Sequence, residues 1–473
     1  MSMPAKPLWI AWGAGAVGLS AYLGLELAGD DRGVFLPGET TAGHHQIELA
    51  CDACHADAFA GPDLMQAKCE GCHLDALDEA RDSHPKSKFT DPRNADRTAL
   101  LDARYCVTCH VEHRPERTLA MGLTMPGDYC SICHAGIAEE RPTHRGMGFD
   151  TCASSGCHNF HDNRSIYEDF LLRHSEAPDL LPTRELAARN FASIAALIGD
   201  YPKDAYPLTA LTAADADAPS SEPAVDALAS GGLVEDWAAT AHAASGVNCT
   251  ACHAGDGEWR DRPGYASCAG CHVNEQAGFL EGRHGMRLDR ARLGMALPPM
   301  TPAEARLPMR ADPIADRVDC GSCHGAHRFD TAFAAVESCL GCHDDEHSRA
   351  YVGSPHQVLV ERSRAGALPA EAAVTCATCH MPRTDESYEW GAYVHVLVEH
   401  NQSDNLRPNE KMIRAVCQGC HGLAFSIDAL ADRALIRRNF AGRPSIHVES
   451  IDLALERRRA VENERRRIEE GDD

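Results

Sequence analysis

One short unit, written eleven times, limits what this chain can fold into: two cysteines followed at once by a histidine. Ten copies read Cys-x-x-Cys-His. Their cysteines are Cys51 and Cys54, Cys69 and Cys72, Cys106 and Cys109, Cys130 and Cys133, and Cys249 and Cys252. The series continues with Cys268 and Cys271, Cys320 and Cys323, Cys339 and Cys342, Cys376 and Cys379, and Cys417 and Cys420. The eleventh copy is stretched, with four residues between Cys152 and Cys157. The histidines that close the units are His55, His73, His110, His134, His158, His253, His272, His324, His343, His380 and His421. All 22 cysteines are used and none is left over. Such a run is the attachment signature of c-type haem. The two thiols add across the haem vinyl groups, and the adjacent imidazole reaches the iron as proximal ligand.

Other uses of paired cysteines fit less well. Zinc knuckles place two Cys-x-x-Cys pairs around one metal and need no histidine after each. Redox-active Cys-x-x-Cys motifs come singly beside a βαβ pattern, which this chain lacks. Disulfides make no demand on the residue that follows. Histidine fills only 26 of 473 positions, so its presence after all eleven pairs is not chance. Eleven covalently bound c-type haems, each with its iron, are therefore expected.

That cofactor load shapes the expected fold. Aromatic residues are 6% of the chain, too few to anchor a large conventional core. Between Cys51 and His161 five haem sites leave roughly 22 residues per haem, and a segment so short buries little of its own surface without staples. The expectation is a mostly α fold with much irregular loop, cored by haem, in two haem domains behind an N-terminal helix. Without haem the chain is expected to be unfolded. The formal charge of −25 argues against nucleic acid and against acidic mineral or lipid surfaces. It favours solubility and other redox proteins as partners.

Residues 8–25 are apolar and uncharged, with Lys6 before them and Glu26, Asp30 and Asp31 after. That length is just adequate to span a bilayer, and the positive flank keeps the N-terminus cytoplasmic. Glu26-Leu27-Ala28 lacks the small residue that signal cleavage needs at its first position. Residues 1–28 are thus read as a helix retained in the inner membrane, with a cleaved signal helix as the alternative. The rest faces the periplasm, or the extracellular space if the helix is cut.

Fifteen histidines do not close a unit. Seven accompany the first five sites: His44, His45, His84, His113, His144, His161 and His174. The others are His242, His284, His327, His347, His356, His395, His400 and His447. All but His447 are taken as candidate distal ligands. His113 and His161 each stand three residues beyond a proximal histidine. On one helical turn both rings would share a face, whereas one iron takes its two ligands from opposite sides. The later histidine of each pair is thus expected to serve a neighbouring haem. The paired His44-His45, the stretched unit at Cys152 and the close spacing make residues 44–174, within an expected five-haem domain at 29–174, resemble the class III cytochromes c.

No cysteine or histidine occurs from Ser175 to Ala241. Thr183-Arg184-Glu185 opens an expected capped helix reaching about residue 198. Residues 208–231 read as a flexible linker, so 175–236 forms the expected boundary. A six-haem domain follows at 237–447, and a charged helix at 448–473 is read as a solvated face or a docking handle. The ordered motifs of 237–447 resemble the superfamily of hydroxylamine oxidoreductase, octahaem reductase and pentahaem nitrite reductase. That resemblance implies stacked haem pairs and one iron without a distal protein ligand. Counting back five sites puts it at Cys268, Cys271 and His272. The nitrite reductases mark that haem with lysine in place of the proximal histidine, a mark absent from all eleven sites here.

Three functions are open at this point. The first is an electron conduit of mostly bis-histidine, low-potential haems in the periplasm. The second is an oxidoreductase acting on nitrite, hydroxylamine or a tetrathionate-like sulfur compound at one open haem, with His356 or His395 as proton donor. The third is a subunit of an extracellular filament, associating with copies of itself through terminal haems. Supply of histidines for every iron in the second block favours the conduit, and no catalytic residue is assigned.

Overall fold

The computed structural model describes residues 5–29, 32–56, 61–80, 82, 84–119, 122–141, 144–145, 148–149, 152, 160–161, 166, 168–182, 209–219, 232–255, 257–387, 394–406 and 411–470. Cys157, His158 and the expected helix from Thr183 lie outside these residues, as does the side chain of His395.

The chain is mostly helical with much loop, as its pattern predicts. Among the described residues the helices of seven residues or more are α1 (Ala5–Ala28), α2 (Pro62–Ala80), α3 (Glu168–His174), α4 (Val273–Glu281), α5 (Pro355–Arg364), α6 (Leu423–Ala431) and α7 (Ser450–Glu470). Sequence reasoning missed one element, an antiparallel hairpin of β1 (Arg383–Ser387) and β2 (Val394–Val398). Its second strand reads Val-His-Val-Leu-Val, the β-branched composition that fits a pleated surface. Val396 and Leu397 are buried.

Contacts gather the chain into two compact units. One is Met1–Asp75, Phe89–Met125 and Arg287–Pro298; the other is Ala76–Lys88, Pro126–Met286 and Pro299–Asp473. In the first, Leu293 and Leu297 pack on Ala50 beside the first haem motif. In the second, the main apolar cluster joins Ile166, Phe170 and Leu171 to Ile413, Leu423, Ile427, Ile451 and Ala454. Among the described residues these two clusters hold three and eight buried residues. Helix α1 joins neither; its Leu8, Trp9, Ile10 and Trp12 are exposed, and Leu8–Ala28 is long and apolar enough to cross a membrane.

The start of α7 belongs to the core, because Ile451 and Ala454 face α3 and α6. The expected solvated helix is therefore solvated only beyond its first turns. His447 fastens that start: one ring nitrogen meets Asp452 at 2.6 Å and the other Asp428 at 3.1 Å. The Asp452 and then the Asp428 hydrogen bonds raise its pKa above the ordinary value. A raised folded pKa gives stability that is fully present below the unfolded value of about 6.5 and is lost as pH rises through the folded one. The advantage of the wild type over His447→Gln in thermal melts is accordingly expected to shrink from pH about 5.5 to about 8.5. An advantage that grew with pH would remove this clamp.

Two glycines bring α4 against the segment after β2. A Cβ at Gly278 would lie 2.6 Å from Glu399 Oε1, and one at Gly282 would lie 2.7 Å from Gln402 Oε1 and 2.8 Å from the His400 carbonyl oxygen. The backbone contact at Gly282 cannot relax by a rotamer change. Gly282→Ala is expected to lower stability by about 1–3 kcal/mol, the usual cost of overpacking, and to shift His400. A melt unchanged within about 0.5 kcal/mol would count against the close approach.

Candidate functional site

The first cysteine of five of the ten Cys-x-x-Cys-His motifs opens a helical turn, at Cys51–Cys54, Cys106–Cys109, Cys249–His253, Cys320–His324 and Cys376–His380. Residues three apart share a face of such a turn, so both thiols point the same way. The residue just before the first cysteine often caps it. Asn248 accepts from the Cys249 amide at 2.9 Å, Asp319 from Ser322 at 2.9 Å and Thr375 from Thr378 at 3.1 Å. These caps escaped the motif reading, although Asn, Asp or Thr ahead of a turn is a legible signal.

Residues 209–219, expected as part of a flexible linker, are held against the Cys249 turn. Asp217 accepts from the Thr250 amide at 3.0 Å, and Asn248 donates to the Asp215 carbonyl at 2.7 Å. Short acidic and amide side chains bond backbone groups readily, so this acidic stretch acts as an external cap.

Among the described residues eight pairs of rings each join a motif histidine to one of the other fifteen. In the first unit His73 faces His44, with ring centroids 5.8 Å apart. In the second unit His134 faces His84 at 6.1 Å. There too His253 faces His327 at 5.9 Å, His272 faces His242 at 6.0 Å and His324 faces His400 at 6.4 Å. His343 faces His284 at 6.1 Å, His380 faces His347 at 6.1 Å and His421 faces His356 at 6.4 Å. All six motif histidines from His253 to His421 have such a companion.

The spacing discriminates between metals. With metal–nitrogen bonds of about 2 Å, two imidazoles on opposite sides of one ion put their centroids roughly 6.3 Å apart, whereas a tetrahedral site puts them roughly 5.1 Å apart. The observed 5.8–6.4 Å matches the opposed arrangement. Among the described residues no group of three or more His, Cys, Asp or Glu is placed to hold a metal by itself. Imidazole pairs at this separation fit a group that brings its own four in-plane ligands. The donor set therefore fits haem and not zinc.

Second nitrogens are held as ligand imidazoles require, by an outer acceptor that fixes tautomer and orientation. His44 Nδ1 meets Glu112 at 2.7 Å, His84 Nδ1 donates to the Phe160 carbonyl at 2.5 Å, and His400 Nδ1 to the Val398 carbonyl at 2.8 Å. Among motif histidines, His253 donates to Arg260 at 2.7 Å, His421 to Asp179 at 2.9 Å and His110 to Gly122 at 3.2 Å. Burial works against ionisation of Glu112, yet bonds from His44 and Thr41 hold it down to about 2. Burial, with neighbouring imidazoles, pushes His284, His356 and His380 down to about 4. These rings are neutral at pH 7, the form a metal ligand needs. Glu112 left no trace in the sequence, since it reaches His44 from 68 residues away.

Cysteines of neighbouring motifs lie side by side. Cys69 lies beside Cys106 in the first unit. In the second, Cys130 lies beside Cys152, Cys268 beside Cys320 and Cys339 beside Cys376. Cys252 lies beside Cys268, Cys323 beside Cys339, and Cys379 beside Cys420. The six sites from Cys249 to Cys420 thus follow one another in space in the order they have in sequence.

The remaining candidates lie elsewhere. His45 meets Glu48 at 3.1 Å, His161 meets Asp82 at 3.3 Å and His113 donates to the Gly38 carbonyl at 2.8 Å. His174 packs on Phe170, with centroids 4.6 Å apart. His144 follows a turn closed on Arg141, and His55 ends the Cys51–Cys54 turn.

Residues 43–135 match the family model for cytochrome c3. The match supports a multihaem electron-transfer cytochrome with covalent c-type haem and its iron. No solved structure matches the chain.

Proposed function

We propose that this chain is an undecahaem electron conduit, facing the periplasm from an inner-membrane helix and passing electrons between redox proteins along mostly bis-histidine haems. The observation that carries this reading is the companion ring, 5.9–6.4 Å away, opposite each of the six motif histidines from His253 to His421. We assign His327, His242, His400, His284, His347 and His356 as distal ligands opposite His253, His272, His324, His343, His380 and His421. His44 and His84 take the same role opposite His73 and His134.

Bound haem supplies a one-electron iron couple, and the protein sets its potential through ligands and burial. Two imidazoles without the potential-raising methionine keep that couple low. Distal ligands come from segments next to other motifs: His327 follows the Cys320 site but lies opposite His253. This exchange ties neighbouring haems into a fixed order, and the nearness of cysteines in successive motifs keeps their edges close. An open iron at Cys268, Cys271 and His272, which the reductase resemblance implies, is at odds with the His242 ring 6.0 Å from His272. The conduit is therefore favoured over the enzyme. The exposed apolar surface of α1 supports anchoring.

Electron paramagnetic resonance of the oxidised holoprotein tests the reading. Only low-spin iron is expected, unchanged by nitrite or hydroxylamine. The near-parallel rings of His253 and His327, 7° apart, should give a rhombic signal, and near-perpendicular pairs such as His84 and His134, at 85°, a more anisotropic one. A high-spin signal that moves with nitrite would transfer the assignment to the enzyme. For the anchor, intact mass decides: a mature chain starting past residue 28 rules it out.

A further inference from the structure

Opposite His253 the two sides of the metal position are built very differently. On the proximal side the imidazole is fixed three ways. Its Nδ1 donates to the Arg260 carbonyl at 2.7 Å, and the Arg260 amide returns a 2.7 Å bond to the His253 carbonyl. Its ring stacks on Trp259 with centroids 4.7 Å apart and planes within 15°. The turn that carries it is capped by Asn248 and Asp217.

The distal side has none of this. His327 sits in a turn where Gly325, His327 and Phe329 have φ of +71°, +68° and +46°. That left-handed region suits glycine and penalises a histidine or phenylalanine. His327 Nδ1 is also buried without a hydrogen-bond partner. Outer partners of ligating imidazoles are worth roughly 10–100-fold in metal affinity, so this ring lacks a support that His44, His84 and His400 have. His113 shows the contrast: its φ is +60°, but its Nδ1 is tied to the Gly38 carbonyl. His242 is the only other histidine among the described residues whose ring nitrogen is buried without a partner. It sits instead on a helical turn, Ala241–Ala244, capped by Thr240 and covered by the Phe329 ring at 4.6 Å. Among the described residues only His327 combines an unsupported ring with a strained backbone.

We propose that the haem at Cys249 and Cys252 is a ligand-exchange site for small neutral π-acceptor diatomics, with His327 as a displaceable gate. The inference rests on the bis-histidine reading above. With ferrous haem attached at Cys249 and Cys252, His327 would give up the distal position and carbon monoxide would take it through its carbon. The iron remains ferrous and no electron or proton is exchanged. The turn relaxes from its left-handed geometry as the ring departs, while His253 keeps the iron in place. The conduit would then carry a gas-sensitive site at the sequence start of its six-haem series.

Carbon monoxide added to the fully reduced, full-length holoprotein tests this, with haem content per chain measured first. The expected result is one carbon monoxide per chain in the Soret difference spectrum. Its rate should level off at high gas concentration, because loss of His327 limits it. In His327→Ala the same single site should bind at a rate linear in gas concentration and at least about tenfold faster. In His242→Ala a second, ungated equivalent should appear while the first stays gated. The wild-type titration decides even if a variant fails to mature. No uptake by a reduced protein whose irons are all six-coordinate overturns the gate and leaves the conduit standing. A five-coordinate ferrous haem before gas is added overturns the bis-histidine reading itself. A gated phase that persists in His327→Ala assigns the exchange to another haem and overturns the proposal.

Discussion

Produced in cells that lack haem attachment, the chain will not reach a cooperatively folded state. Its apolar clusters hold three and eight buried residues among the described residues. Conformational entropy costs about 1–2 kcal/mol per ordered residue, which clusters of that size cannot offset for a chain of this length. The groups that would fill the interior are thiols and imidazoles. Without haem they are desolvated with little return: burial pushes the Cys130 thiol up to about 11 and the Cys417 thiol up to about 12. The facing rings, about 6 Å apart, are too distant to stabilise one another without a group between them. Haem binding is therefore folding free energy, as in small metal domains. The haem-free chain should show no sharp thermal transition in circular dichroism and should be proteolysed at least about a hundredfold faster than the holoprotein. A single steep urea transition with the slope expected for a chain of this size would refute the haem-cored fold.

The second large effect is expected from His284→Ala. His284 follows α4, and its ring lies 6.1 Å from His343, the proximal residue of the Cys339 site in the middle of the six-haem series. Burial, then the nearby His343, Arg283 and His380, holds its pKa down to about 4, so the wild-type ring is neutral and ready to bind metal. Removing it should create one high-spin, five-coordinate haem per chain and lower stability by about 2–5 kcal/mol, the range for losing a large interior side chain. Added imidazole should restore the low-spin spectrum without restoring all of the stability. His447→Gln serves as the control, since both nitrogens of that ring already meet carboxylates. A His284→Ala protein that stays entirely low-spin would remove His284 from the ligand set.

The cofactor class could be read directly from the motif, because covalent attachment requires both thiols and the adjacent imidazole within five residues. The mostly helical, loop-rich fold was legible too, since dense haem sites leave little chain for anything larger. Local caps such as Asn248 and Thr375 were available in the sequence but hidden beside the stronger pattern. The β1–β2 hairpin was obscured because the cysteine motif just before it draws attention to helical turns. Glu112, by contrast, carries no local signal, because its bond to His44 is made only when distant segments meet.

The sequence by itself showed eleven cysteine pairs each followed by a histidine, the cofactor class they point to, the net negative charge and the apolar N-terminal helix. Each of these depends on residues adjacent in the chain or on composition. Only the tertiary structure decided which ring stands opposite which. Ligands on two sides of one metal come from different segments, and their pairing is fixed by folding rather than by spacing. The same holds for the difference between a well-supported imidazole such as His400 and the strained, unsupported His327. Backbone conformation and outer hydrogen bonds have no counterpart in the motif that introduces them.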